Sequence, residues 1–125
     1  MFEINPLPEN WKKPLYIASK DSEVSYDDEG EEITTYQTPV YYEFNYQPVS
    51  TDAEIAEFGE KVKSMIKAVI PISYKDTFKE FDVAYLEGAT PEGETINGMQ
   101  ANYRLLPPRN GNSAIIIYFE KIIGK

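Results

Sequence analysis

The chain contains no cysteine and no histidine. Without cysteine there is no disulfide and no thiolate metal ligand, and no oxidising compartment is implied. Without histidine the commonest general base near neutral pH is gone, and so is the commonest metal ligand. Basic residues are scarce as well. Twelve Lys and Arg stand against twenty-one Asp and Glu, a net charge of −9. Duplex DNA carries one negative charge per ~1.7 Å of axis, so a protein that grips it needs a basic face. Tight nucleic-acid binding is not expected here, whereas a surface that DNA slides past without sticking is compatible with this charge. The longest apolar run, Ala114 to Phe119, has six residues, where a membrane span needs ~20. The segment Met1 to Lys13 is polar, holds Pro6 and Pro8, and does not read as a signal peptide.

What is present points to β structure. The 125 residues suit one domain. Aromatics make up 14% of the chain, ten of them Tyr, and such rings fit strand faces and interfaces. Residues 1–14 read as an extended arm, because Pro6, Pro8 and Pro14 bar a helix, with Trp11 as its anchor. Pro14 to Ala18 is a first strand. Ser22 to Gln37 reads as an acidic hairpin in which Gly30 takes the positive φ of a short turn; its charge is that of a solvated tip or of a contact surface. Val40 to Gln47 alternates strictly, with Val40, Tyr42, Phe44 and Tyr46 on one face, and is a half-buried strand that Pro48 ends.

Thr51-Asp52-Ala53-Glu54 has the form of a capping box. It predicts a short helix over 52–58 with Gly59 just past its end. A strand from about 62 to 70 follows; a single helix running to Val69 is the alternative. Lys75 to Phe81 is a polar connector and Asp82 to Leu86 a short strand. Residues 87–100 form a long loop punctuated by Gly88, Pro91, Gly93 and Gly98. Ala101 to Leu106 and Ala114 to Ile122 make a last hairpin about Asn110-Gly111-Asn112. Ile115, Ile117 and Phe119 would face the core. Ile116, Tyr118 and Glu120 would face away, the apolar pair covered by the arm or by a neighbouring subunit. The fold class expected is mainly β: a small barrel or sandwich of about six strands with one short helix.

No catalytic set emerges from these residues. Asp27 to Glu32 offers oxygens for calcium but lacks the spacing and the distal Glu of a calcium loop. Ser64-Met65-Ile66-Lys67 matches a serine–lysine motif in letters alone. Gly88 and Gly93 have phosphate-loop spacing, yet Glu94 stands where the loop needs Lys, and Pro91 removes a backbone donor. No enzyme, cofactor or metal is expected.

The order of features resembles the head-closure and head–tail joining (stopper, connector) proteins of tailed bacteriophages. The residues that carry it run from about Leu15 to Ile122. They are the acidic turn Asp27-Asp28-Glu29-Gly30-Glu31-Glu32 with Tyr36 after it, and the strand from Tyr42 to the Pro48-Val49-Ser50 break. Next come the acidic helix Asp52 to Gly59, the basic strand Lys61 to Ile70, and Asp82-Val83-Ala84-Tyr85-Leu86. Tyr103-Arg104 and Tyr118-Phe119-Glu120 close the series. Gly88 to Gln100 is longer than the tight turn usual in the family.

The resemblance implies a barrel subunit that works by shape. It would be a monomer free in solution and form a homo-oligomeric, dodecameric ring at the virion neck after assembly in the host cytoplasm. The portal or adaptor would lie above it and the tail or tail terminator below, with DNA passing through the channel without sequence recognition and no membrane involved. A channel or gate loop would comprise Ser50, Thr51, Asp52, Glu54, Ile55, Glu57, Phe58, Gly59 and Glu60. Glu54, Glu57 and Glu60 would repel the DNA backbone there, or simply form a solvated helix face. Subunit or partner contacts would fall on Trp11, Tyr26, Asp28, Glu29, Gly30, Glu31, Tyr36, Pro91 and Glu92. A different connector ring, such as a tail terminator or adaptor, or a non-phage β-barrel protein-binding module, is the alternative.

Overall fold

The computed structural model describes residues 12–21, 25–91 and 101–122. It is mainly β, a nearly closed barrel with one helical segment. The strands are β1 (Lys13–Ala18), β2 (Ser25–Tyr26), β3 (Glu32–Ile33), β4 (Val40–Phe44), β5 (Tyr46–Pro48), β6 (Met65–Pro71), β7 (Val83–Tyr85), β8 (Tyr103–Leu105), β9 (Arg109–Asn110) and β10 (Ala114–Lys121). The helix α1 spans Asp52–Phe58.

The barrel path runs β4-β1-β7-β8-β10-β6-β5, with β9 paired to β10. Its two ends are consecutive in the chain. One bent strand changes partner at Asn45: β4 pairs with β1, and β5 with β6. That switch brings the sheet round upon itself, and counting β4 and β5 as one strand leaves six. Closure removes most of the open edge that would otherwise invite aggregation.

The period-2 reading places the core. Ile115, Ile117 and Phe119 are buried, as are Ile66, Ala68 and Ile70 on the neighbouring strand. They form one cluster with Leu15, Ile17, Phe44, Tyr46, Leu86 and Leu105. The small Ala68 sits opposite Ile117 on one side and Tyr46 on the other, so two bulky side chains can fill the lumen beside it. After β6, a single 3-10 turn at Ile72–Tyr74 and the connector behind it bring Tyr74 and Phe78 onto Tyr42 and Phe44.

Several boundaries differ from expectation. Residues Gly59–Ser64 form a 3-10 helix and the strand begins at Met65 rather than near 62. The alternation of Val62 and Ser64 continues the β6 pattern, but only from Met65 onward do residues have strand partners. Pro48 does end the strand, as its last residue, still paired with Ile66. Val40 is 50% exposed although it keeps the phase of Phe44 and Tyr46, because it stands at the strand's outer end. Asp82 is buried, and its carboxylate accepts from the backbone N–H of Lys20 and of Lys79, tying the start of β7 to the end of β1. Burial pushes its pKa up against those two donors. Residues 1–11 of the arm with Trp11, and residues 92–100 of the long loop with Glu92, lie outside the described residues, while Lys13 and Pro14 at the arm's end already belong to β1. Among those described, no helix is long and apolar enough to cross a membrane.

Candidate functional site

The proposed gate residues form α1 and its flanks. Thr51 and Glu54 build the capping box read from the sequence. The Thr51 hydroxyl accepts from the Glu54 N–H at 3.2 Å, and the Glu54 carboxylate accepts from the Thr51 N–H at 3.2 Å and its hydroxyl at 2.7 Å. Gly59 then ends the helix at φ 62° and ψ −135°, a backbone state that glycine alone adopts without strain.

The helix lies on the outer face of β6 and β10, and the register explains what it meets there. Tyr118 and Lys67 are direct cross-strand partners, so they share a face, and that face is opposite the one carrying Ile117 and Ile66. Glu54 sits above the pair. It accepts from Lys67 Nζ at 2.9 and 3.1 Å and from the Tyr118 hydroxyl at 2.6 Å. Burial raises the Glu54 pKa, but hydrogen bonds from Tyr118, Thr51 and Lys67 outweigh it and hold the carboxyl down at about 2. Tyr118 shows the reverse: burial and then its bond to Glu54 push the phenol up to about 12. Arg109 of β9 pairs with Glu57 and lies over the rings of Phe58 and Tyr118, 5.4 and 4.9 Å from their centroids.

Two expectations change in consequence. Among the described residues, the outward-facing Ile116 and Tyr118 find cover within the chain itself. They belong to a second apolar cluster with Val49 and Met65, roofed by Phe58, Val62 and Leu106 of the same chain. The repulsive charge of the helix is also smaller than its sequence implies, because Glu54 is neutralised by Lys67 and Glu57 by Arg109. Ser50, Thr51, Asp52, Ile55, Glu57, Gly59 and Glu60 are exposed, while Glu54 and Phe58 turn toward the barrel.

The proposed contact residues Tyr26, Asp28, Glu29, Gly30 and Glu31 come together, exposed, at the tip of the β2–β3 hairpin. Asp27 shapes that tip: its carboxylate accepts from the N–H groups of Glu29 and Glu31, and Gly30 supplies φ 82°. Tyr36 is separate from the tip. It bridges Lys20 and packs, half-buried, on the outer-face cluster of Ala18, Val83 and Tyr85. Pro91 is half-buried.

Sequence reasoning finds Glu54 but misses Lys67, Arg109 and Tyr118 as its surroundings. Lys67 carries a signal, since it is the one charge inside the apolar run Met65 to Ile70. Arg109 and Tyr118 carry none, because their proximity to α1 is purely tertiary.

Among the described residues, no three Asp or Glu side chains gather into a metal site. An open depression of about 240 Å³ lies between Tyr74, Phe78, Pro107 and Ile115, with Lys79 and Glu80 at its rim. No family model matches the chain, and neither a curated protein nor a solved structure does.

Proposed function

We propose that this chain is a structural subunit of a tailed-phage connector, a head-closure ring protein that joins the portal or adaptor to the tail and retains packaged DNA. One observation carries the reading. The features on which the resemblance rests follow, in the same order, the elements of one small barrel and the hairpin appended to it: β1, the separate acidic hairpin β2–β3, the bent strand β4–β5, α1, β6, β7 and the β8–β10 hairpin. A net charge of −9 favours a wall that DNA passes without being trapped. The acidic tip about Tyr26 and Glu29 stands clear of the barrel, where a neighbouring subunit or the adaptor would meet it.

Electron microscopy of the protein mixed with portal-bearing heads tests this. The expected result is an added axial ring beneath the portal. A protein that stays monomeric and unbound beside such heads, yet captures one soluble partner through a concave face, would instead be a binding module.

A further inference from the structure

Between Thr51 and Ser64 a single residue, Glu54, is buried. A surface helix normally docks through an apolar stripe. Here Ile55 is 46% exposed and Phe58 and Val62 are only half-buried. What reaches deepest is a carboxylate seated on two strands, with Lys67 of β6 and Tyr118 of β10 as donors, while Phe58 and Val62 rest on the apolar cluster beneath. The Arg109–Glu57 pair on the exposed side is a second clasp. The residues beneath form their own cluster, separate from the barrel core on the opposite face of β6 and β10. Both ends of α1 are built to turn. Gly59 has φ 62°, and a 3-10 run with no buried residue follows it. Upstream, the Val49 backbone N–H donates to the Met65 carbonyl over a long 3.4 Å. A 3-10 run after a helix end is a common connector, and this one carries no buried side chain to pin it to the barrel.

We propose that residues 51–64 form a hinged latch. The helix, residues 51–58, undocks from a barrel that stays folded, swinging on Val49-Ser50 and on the 3-10 run Gly59–Ser64, once the Glu54 carboxylate leaves Lys67 and Tyr118. The groups facing Glu54 are Thr51 and Glu57 from its own element, Lys67 from β6, Tyr118 from β10 and Arg109 from β9. Removing the Glu54 charge by substitution should therefore weaken the dock. This inference does not depend on the connector reading; it would hold for the same barrel in any role.

Native-state hydrogen exchange on the full chain, wild type and Glu54→Gln, tests it at neutral pH. In the wild type, the amides of Ile55 to Phe58 should exchange at least about tenfold faster than those of Ile66 to Ile70 and Ile115 to Phe119, as separate opening units do. Glu54→Gln keeps the shape and removes the charge. It should speed the helix amides by a further factor of about ten or more, the loss expected from weakening bonds to a charged group, with the strands shifting less than about twofold. In tyrosine labelled with 13C at Cζ, the Tyr118 titration should fall from about 12 toward 10 in the variant. Three results overturn the proposal: helix and strand amides exchanging at one rate in the wild type, unchanged helix protection in Glu54→Gln, or unfolding of the whole barrel by that substitution.

Discussion

Truncating Ile117 and Ile116 separately tests the facing of the longest strand, on which the barrel depends. Ile117 is fully buried in the lumen opposite Ala68, whereas its neighbour Ile116 lies half-buried on the outer face. Ile→Ala removes three carbons, worth about 2–3 kcal/mol of lost burial at ~0.8 kcal/mol each where burial is complete. At Ile117 a cavity term adds to this, because a closed barrel can collapse only partly, so Ile117→Ala should cost about 3–5 kcal/mol. Ile116→Ala loses about half the burial and leaves an open dent rather than a void, so about 1 kcal/mol is expected. Urea unfolding of both variants, followed by tyrosine fluorescence and circular dichroism with m held in common, gives the two values. For a chain of this length each kcal/mol corresponds to roughly 3–5 °C in Tm. Equal costs, or a larger cost at Ile116, would refute the facing, since slipping the strand by one residue exchanges its two faces. Ile117→Asp places an uncompensated charge in the same lumen and should leave no folded protein.

Tyr118→Phe deletes one donor to Glu54 at 2.6 Å; it should cost about 1–3 kcal/mol and move the Glu54 titration up from about 2, read by carboxyl NMR. Glu54 titrates at about 2 in the folded protein against an ordinary 4.5, so the stability it contributes is complete above about pH 4.5 and drains away as pH falls toward 2. Glu54→Gln should flatten that limb of the stability–pH curve; an identical curve in the variant would place the acid sensitivity elsewhere. Gly59→Ala keeps open space around its new methyl but must hold φ 62°, so it should destabilise by about 1–3 kcal/mol, with increased exchange confined to 51–64. Deleting Asp52 to Gly59 should leave the barrel's circular dichroism intact while packaged heads lose DNA; heads that retain their genome would remove the gate role.

The faces of the long strands are legible in the amino-acid order alone. Alternation along Tyr42 to Tyr46 and along Ile115 to Phe119 identifies which side chains enter the core, because period 2 is a local property of extended backbone. The helix start is equally local, since Thr51 and Glu54 satisfy each other three residues apart. Barrel closure is not legible in this way. Whether residues 40–48 pair with one neighbour or pass from β1 to β6 at Asn45 is settled by strands far off in sequence. The same holds for Glu54. In the sequence it is one of several acids on an exposed helix; only the β6–β10 register, by setting Lys67 beside Tyr118, turns it into a buried, fully partnered carboxylate. Side-chain period is written residue by residue, but the partners of a charge are chosen by which strands lie side by side.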